Sequence, residues 1–245
     1  VLILEKKVNT NSVHISKKLL STKAIYSLTP FTLLDYPDRT ACIVWFAGCN
    51  MRCLYCYNPD IVLGKGQIDF DSILFFLQSR KGLLDGVVLS GGECTMHKNI
   101  VSFIKKIKEM GFVVKIDTNG SNPKVLQKLI QDQLIDYVAL DFKSLPGTFK
   151  HITKSKLFPE FEQSLSLLLQ SEIPFEIRTT FHSSLISEPE FVKMIEYLEE
   201  QHFEGNYYVQ HFVNNVPTLS ELDDSHKEIR LKNFSSSKIK VIFRD

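Results

Sequence analysis

Residues 41–56 read ACIVWFAGCNMRCLYC, an apolar run that leads directly into three cysteines. Cys49, Cys53 and Cys56 are separated by three and then two residues, and no other stretch of the sequence holds more than one cysteine. The apolar run is typical of a buried strand, and a loop after it lets three thiolates turn toward one point. The pattern therefore predicts the ligands of a single soft metal centre at the end of a strand.

A fourth protein ligand for this centre is not apparent in the sequence. The other cysteines are Cys42, in the apolar run and expected in the core, and Cys94, expected to fill a small loop; the first histidine after the cysteines is His97. Three thiolates leave one iron of a cubane cluster without a protein ligand, and such an open position binds a substrate or cofactor. The alternative is a structural zinc site, which needs a fourth ligand, or cysteines grouped by chance.

Composition limits the possible classes of protein. The chain has 245 residues, 44% of them apolar, and a formal net charge of +1. We expect a basic N-terminal extension over 1–23 and a single domain over 24–245. Near-neutral charge gives no argument for a nucleic-acid or membrane partner, and no apolar run reaches the about 18 residues of a transmembrane helix. Five cysteines, three of them clustered, suit a reducing compartment, so we expect a cytoplasmic protein.

Short β-rich runs alternate with amphipathic helical patterns after residue 40. This alternation implies a parallel sheet with right-handed crossovers. The remaining length, about 200 residues, is less than the roughly 250 of a closed eight-unit barrel, so we predict an α/β fold, a partial (β/α)6 TIM-like barrel. The predicted strands are 41–46, 87–90, 112–117, 137–141, 175–180 and 207–212. The predicted helices have apolar stripes over 100–107, 125–130, 161–168 and 191–198.

Polar residues follow several predicted strands, at the ends where barrels of this type carry their functional residues. After the second strand, Gly91 and Gly92 expose backbone groups and the Glu93 carboxylate can pair with an ammonium, although an ordinary turn has the same composition. On the fifth strand Arg178 would be costly to bury alone. It should therefore meet a ligand anion or form a salt bridge with an Asp or Glu.

Two more strand ends carry carboxylates. Asp117, Thr118 and Asn119 form a predicted turn whose side chains could bind hydroxyl groups. Asp141 and Lys143 lie on one face of an extended chain, because side chains alternate along a strand. Either pattern also occurs in plain structural turns and strands.

The cysteine spacing, with the aromatic Tyr55 before the third cysteine, resembles the CxxxCxxC motif of the radical S-adenosylmethionine (radical SAM) superfamily. The resemblance implies a partial barrel and a catalytic 4Fe-4S cluster on Cys49, Cys53 and Cys56. The open iron would chelate S-adenosyl-L-methionine (SAM), which is cleaved to a 5'-deoxyadenosyl radical. It also implies that the Gly-Gly-Glu motif binds the SAM amine and that the SAM carboxylate is the candidate anion for Arg178.

The two carboxylate motifs are similar to those of the glycyl-radical-enzyme activating subgroup. In that subgroup the Asp-Thr pair, here Asp117 and Thr118, and the later Asp, here Asp141, help to hold a monovalent cation beside the SAM carboxylate. The later Asp and the Lys, here Lys143, also contact the ribose side. The resemblance therefore implies cofactor-binding roles for these residues and for Asn119 of the same Asp-Thr-Asn-Gly motif.

Segments 26–37 (YSLTPFTLLDYP) and 56–59 (CYNP) narrow the resemblance to anaerobic ribonucleoside-triphosphate reductase activating proteins, over about 24–215. This implies abstraction of a glycine Cα hydrogen from a partner glycyl radical enzyme, that reductase, with flavodoxin or ferredoxin as electron donor. Asp38, Tyr57 and Cys94 depart from the family pattern, which commonly has Gly, His and Pro there. The alternatives are a radical SAM enzyme that acts on a small molecule and a non-catalytic metal-binding module.

Overall fold

The computed structural model describes residues 23–226 and 238–244, so residues 1–22 of the predicted extension lie outside the described residues. The strands are β1 (Lys23–Thr32), β2 (Ala41–Phe46), β3 (Ile68–Asp69), β4 (Gly86–Gly91), β5 (Val113–Thr118), β6 (Tyr137–Asp141), β7 (Phe175–Phe181), β8 (Gly205–His211) and β9 (Ile239–Arg244). They form one sheet in the order β3-β1-β2-β4-β5-β6-β7-β8-β9.

Parallel pairing connects β2 to β4 and then each strand to the next as far as β9. The predicted α/β fold and its six strands are confirmed, with strand ends shifted by at most about two residues. β9 and the antiparallel pair β1 and β3 were not predicted. β1 contains Pro30, which argues against a central strand. The short β3 pairs only with the start of β1, so among the described strands none pairs with that side of β1 at Pro30.

The helices that connect these strands are α1 (Pro59–Leu63), α2 (Phe70–Gln78), α3 (Ile100–Glu109), α4 (Pro123–Gln131), α5 (Pro146–Thr153), α6 (Phe158–Leu169) and α7 (Glu188–Glu200). The four predicted apolar stripes are confirmed as the buried faces of α3, α4, α6 and α7. Within the described residues, no helix has the length and apolar character needed to cross a membrane.

The two faces of the sheet pack differently. Alternate residues of β2, Cys42 and Val44, belong to the large core between the sheet and the helices, so the expected burial of Cys42 is confirmed. Ala41 and Ile43 pack on the opposite face with Val88 in a smaller apolar cluster. This cluster lies at the amino-terminal ends of β2 and β4. Polar residues lie at the carboxyl ends of the parallel strands, where barrels of this type carry their functional residues.

Candidate active site

The cysteine loop, residues 47–58, begins where β2 ends and lies against the last turn of α5. The Arg52 N–H donates to the carbonyl of Thr153 at 2.8 Å, and the Leu54 N–H donates to the carbonyl of Ile152 at 3.0 Å. The last carbonyls of a helix have no partner inside the helix, so the loop satisfies them. One side of the cysteine loop is therefore fixed by a helix end.

The segment 212–226, which follows β8, holds the other side of the cysteine loop. The Leu219 N–H donates to the carbonyl of Cys56 at 3.0 Å, and the Ser220 N–H donates to that of Leu54 at 3.2 Å. The loop backbone is thus clamped between two segments that lie far apart in the sequence.

The side chains of Cys49, Cys53 and Cys56 line one cavity of about 350 Å³. Cys53 is buried, and the other two are partly exposed. Burial raises the pKa of the Cys49 thiol to about 12 and also raises the pKa of Cys53. Within the described residues, no three His, Cys, Asp or Glu side chains are arranged to hold a single metal ion. The three cysteines share one cavity, and their role as ligands of one cluster stays a prediction.

The Gly-Gly-Glu loop packs directly on the cysteine loop. Gly91 has a φ of 113°, in the region that favours glycine. A Cβ on Gly92 would lie 1.8 Å from the carbonyl oxygen of Gly48, so only glycine fits there. The next N–H, of Glu93, donates to the same Gly48 oxygen at 2.9 Å. Both glycines line the cavity.

The Glu93 carboxylate does not line the cavity. Its side chain is 1% exposed and accepts hydrogen bonds from the Thr95 N–H at 3.1 Å, the Thr118 hydroxyl at 2.8 Å and the Asn119 N–H at 2.8 Å. Burial raises the pKa of Glu93 in spite of these donors. The carboxylate therefore ties the loop after β4 to the loop after β5, an arrangement that the tripeptide alone could not predict.

Five charged residues form a network at the carboxyl ends of β5, β6 and β7. Lys115 Nζ lies 2.6 Å from Asp117 Oδ1, and Arg178 Nη1 lies 3.4 Å from Asp117 Oδ2. Asp141 pairs with Arg178 at 3.2 Å and with Lys143 at 3.1 Å. Of the two alternatives for Arg178, the structure contains the salt bridge. Lys115 was not among the predicted site residues. The signal for it was a lysine inside an apolar strand, two residues before Asp117 and so on the same face.

The charges around Asp117 decide its ionisation. Burial by itself would raise the pKa of this carboxyl, but Arg178 and Lys115, together with hydrogen bonds from Lys115 and Ser90, hold the pKa below its usual value. The Ser90 hydroxyl donates to Asp117 Oδ2 at 3.0 Å. Asp117 is therefore a carboxylate at neutral pH.

Two of the predicted residues, Asn119 and Lys143, contact the cysteine loop. The Asn119 side-chain amide donates to Asn50 Oδ1 at 3.0 Å and approaches the Cys49 sulfur at 3.8 Å. Lys143 Nζ lies over the Tyr55 ring, 5.9 Å from its centroid. The Tyr55 hydroxyl is buried and has no hydrogen-bond partner among the described residues. All of the predicted site residues except Glu93 line the same cavity.

This geometry coincides with a match to a known family model. The model of the radical SAM superfamily matches residues 43–198, which cover β2 through α7 and every predicted site residue. The chain belongs to the radical SAM superfamily. Radical SAM enzymes use a 4Fe-4S cluster and SAM, and solved structures of this fold contain bound SAM.

Relatives of this radical SAM chain include proteins named as activating enzymes. A Methanocaldococcus jannaschii protein, named as an unproven glycyl-radical enzyme activating enzyme, is 33% identical over 68% of this chain and 72% of its own length. The pyruvate formate-lyase-activating enzyme of Clostridium pasteurianum is 33% identical over 49% of this chain and 52% of its own. Streptococcus suis SuiB bound to SAM has a TM-score of 0.58 and 14% identity, with 75% of this chain and 45% of SuiB covered. The chain thus spans about half of the latter two proteins.

The side chains of the radical SAM cavity fit both cofactors. Three thiols are the donors that iron–sulfur clusters require. The cavity, about 350 Å³, falls in the range of roughly 300 to 1,000 Å³ typical of small-molecule sites. Its wall carries both cationic and anionic groups, which suits the zwitterionic amino-acid end of SAM.

Proposed function

We propose that this radical SAM protein is a glycyl-radical-enzyme activase and that its partner is an anaerobic ribonucleoside-triphosphate reductase. The observation that carries the proposal is the charged network of Asp117, Asp141, Lys143 and Arg178 on the same cavity as the three cysteines. It is supported by the names of two relatives as activating enzymes, one matched over 68% of this chain and the other over 49%. The resemblance of segment 26–37 supports the choice of reductase.

In this proposal Cys49, Cys53 and Cys56 hold the 4Fe-4S cluster. When bound, the reduced cluster supplies the electron that breaks the carbon–sulfur bond of SAM; methionine leaves, and a glycine Cα hydrogen atom ends on the 5' carbon of deoxyadenosine. The contribution of the cysteine loop is positional. Clamped on both sides, it keeps the three thiols at one end of the cavity.

The other residues bind and orient SAM. The backbone of Gly91 and Gly92 faces the cavity and is available to the amine, while Glu93 positions that loop from behind. The Arg178 guanidinium can bind the carboxylate and keep its salt bridges, because it has five N–H donors. Asp141 and Lys143 contact the ribose side of SAM. The cavity is also lined by Tyr55, Thr118 and Asn119.

Asp141→Ala is expected to weaken SAM binding about ten- to a hundredfold without loss of the cluster. The change removes the carboxylate that orients Arg178 and Lys143, so both cations lose a charge-assisted partner. Equilibrium dialysis of labelled SAM against the reconstituted, unreduced protein measures the effect. Asp136→Ala, which breaks the ion pair with Lys108 away from the cavity, is the matched control. An unchanged SAM affinity for Asp141→Ala would remove this residue from the binding site.

The proposed activity is tested by electron paramagnetic resonance. Reconstituted protein is reduced anaerobically with SAM and an anaerobic ribonucleotide reductase, with flavodoxin or ferredoxin as electron donor. We expect the doublet of a glycyl radical on the reductase and an equal amount of 5'-deoxyadenosine. The Cys53→Ala variant provides the control without a cluster. If active protein cleaved SAM but gave no doublet with this or any other glycyl radical enzyme from the same cell, a small-molecule radical SAM enzyme would replace the proposal.

A further inference from the structure

We propose that the Lys115 ammonium, and not a monovalent metal ion, neutralises Asp117 in the SAM site, so that SAM binding by this protein needs neither Na⁺ nor K⁺. The inference rests on the proposed placement of SAM beside Asp117. It departs from the monovalent cation implied by the resemblance to activating enzymes, and it concerns a residue that lies outside the recognised motifs.

Lys115 is built into the wall of the sheet. It is the third residue of β5, only 3% of it is exposed, and its Nζ lies 2.6 Å from Asp117 Oδ1. Side chains two residues apart on a strand share a face, so the backbone itself directs the ammonium toward this carboxylate. Burying a lysine is costly unless it is paired, which makes a permanent ion pair with Asp117 the stable arrangement.

The carboxylate oxygens that a metal ion would need already accept hydrogen bonds from protein groups. Asp117 Oδ2 accepts from Ser90 and Arg178, and Lys115 takes Oδ1. Asp141 Oδ1 accepts from Arg178 and Oδ2 from Lys143. Every carboxylate oxygen of the pair therefore has a cationic or hydroxyl donor.

The hydroxyl predicted to join the cation site is also engaged elsewhere. Thr118 Oγ1 donates to Glu93 Oε1 at 2.8 Å and accepts the Gly120 N–H at 3.1 Å. These bonds leave one lone pair of the hydroxyl for a monovalent ion. The ion would also have to approach three protein cations, which Coulomb repulsion in a partly buried site opposes.

Charge balance agrees with this assignment. Lys115, Lys143 and Arg178 face Asp117 and Asp141, so the network carries one net positive charge before any ligand binds. A single positive charge complements the SAM carboxylate. Without Lys115 the network would be neutral, and an added alkali ion would restore the missing charge.

The test compares wild-type protein with Lys115→Met, which has similar length but no charge. The SAM Kd of cluster-loaded, unreduced protein is measured in choline chloride and in KCl or NaCl at equal ionic strength. We expect no change in Kd for the wild-type protein. Lys115→Met should bind SAM roughly tenfold or more weakly in choline and recover in KCl or NaCl. Lys115→Arg, which keeps the charge, should show little dependence on the alkali ion, and Lys108→Met controls for the loss of an outlying lysine.

The outcomes separate this inference from the proposed function. A wild-type Kd that improves several-fold on addition of K⁺ or Na⁺ would overturn the inference alone. So would a cluster-loaded Lys115→Met protein whose Kd equals that of the wild type in choline. Rubidium soaks of crystals give an independent readout: an anomalous peak beside Asp117 is expected in Lys115→Met, and such a peak in the wild-type protein would contradict the assignment. Failure of the wild-type protein to bind SAM in any salt would overturn the proposed function and the inference together.

Discussion

Alanine at Cys49, Cys53 or Cys56 is expected to give a colourless protein that does not cleave SAM. The three thiols line one cavity, and a cluster held by the two that remain would lose one of its three protein anchors. The measurements are visible absorbance after anaerobic reconstitution with iron and sulfide, and 5'-deoxyadenosine formed after reduction with SAM. The expected loss is essentially complete for each variant.

Cys42→Ala is the matched control for these cysteine variants. Cys42 is fully buried on the face of β2 that packs on the helices, so it takes no part in the cavity. Losing its sulfur should cost about 1 kcal/mol of stability and leave absorbance and SAM cleavage nearly unchanged. If colour were lost only from Cys42 or Cys94 variants, the cluster would have to be assigned to other ligands.

Gly92→Ala is expected to reduce both cluster content and SAM cleavage at least tenfold. The new Cβ would lie 1.8 Å from the Gly48 carbonyl oxygen and 2.5 Å from its carbon. Both are backbone atoms that cannot rotate away, so the two loops must separate. The separation also breaks the hydrogen bond from Glu93 to Gly48 and should cost about 1 to 3 kcal/mol or more. Iron content, SAM cleavage and the thermal unfolding midpoint measure the effect.

Gly147→Ala separates this clash from a general effect of replacing glycine. Gly147 lies in α5, and apart from its chain neighbours and its own helix backbone no described atom would lie within 4 Å of a Cβ there. Alanine is the better helix former by about 0.8 to 1.0 kcal/mol, so this variant should be at least as stable as the wild type. Normal cluster content and SAM cleavage in Gly92→Ala would mean that the loops do not need to touch.

Local pattern was sufficient to predict the alternating elements and the positions of the strand ends. The stripe of α3, with Ile100, Phe103, Ile104 and Ile107 all buried, follows from the helical period alone. The position of all three cysteines on one cavity also follows from their close spacing after β2. These features depend on residues close together in the sequence, which is why the sequence predicts them.

Features that depend on distant partners could not be predicted from local pattern. The Glu93 carboxylate faces inward because Thr118 and Asn119, about 25 residues later, offer it donors. The salt bridges of Arg178 depend on where β5 and β6 place Asp117 and Asp141. β1 was not predicted because of a local signal: Pro30 argues against a strand. The proline is tolerated because no described strand pairs with that side of β1 at this position.

The clamped cysteine loop has a consequence for how the protein is made. A ribosome completes Cys56 long before it adds Leu219, whose N–H holds the Cys56 carbonyl. At roughly 5 to 20 residues per second, the nascent chain carries all three thiols for about 8 to 30 seconds before the second clamp exists. The cysteine loop therefore reaches its fully clamped form only late in synthesis, after residue 220 has been added.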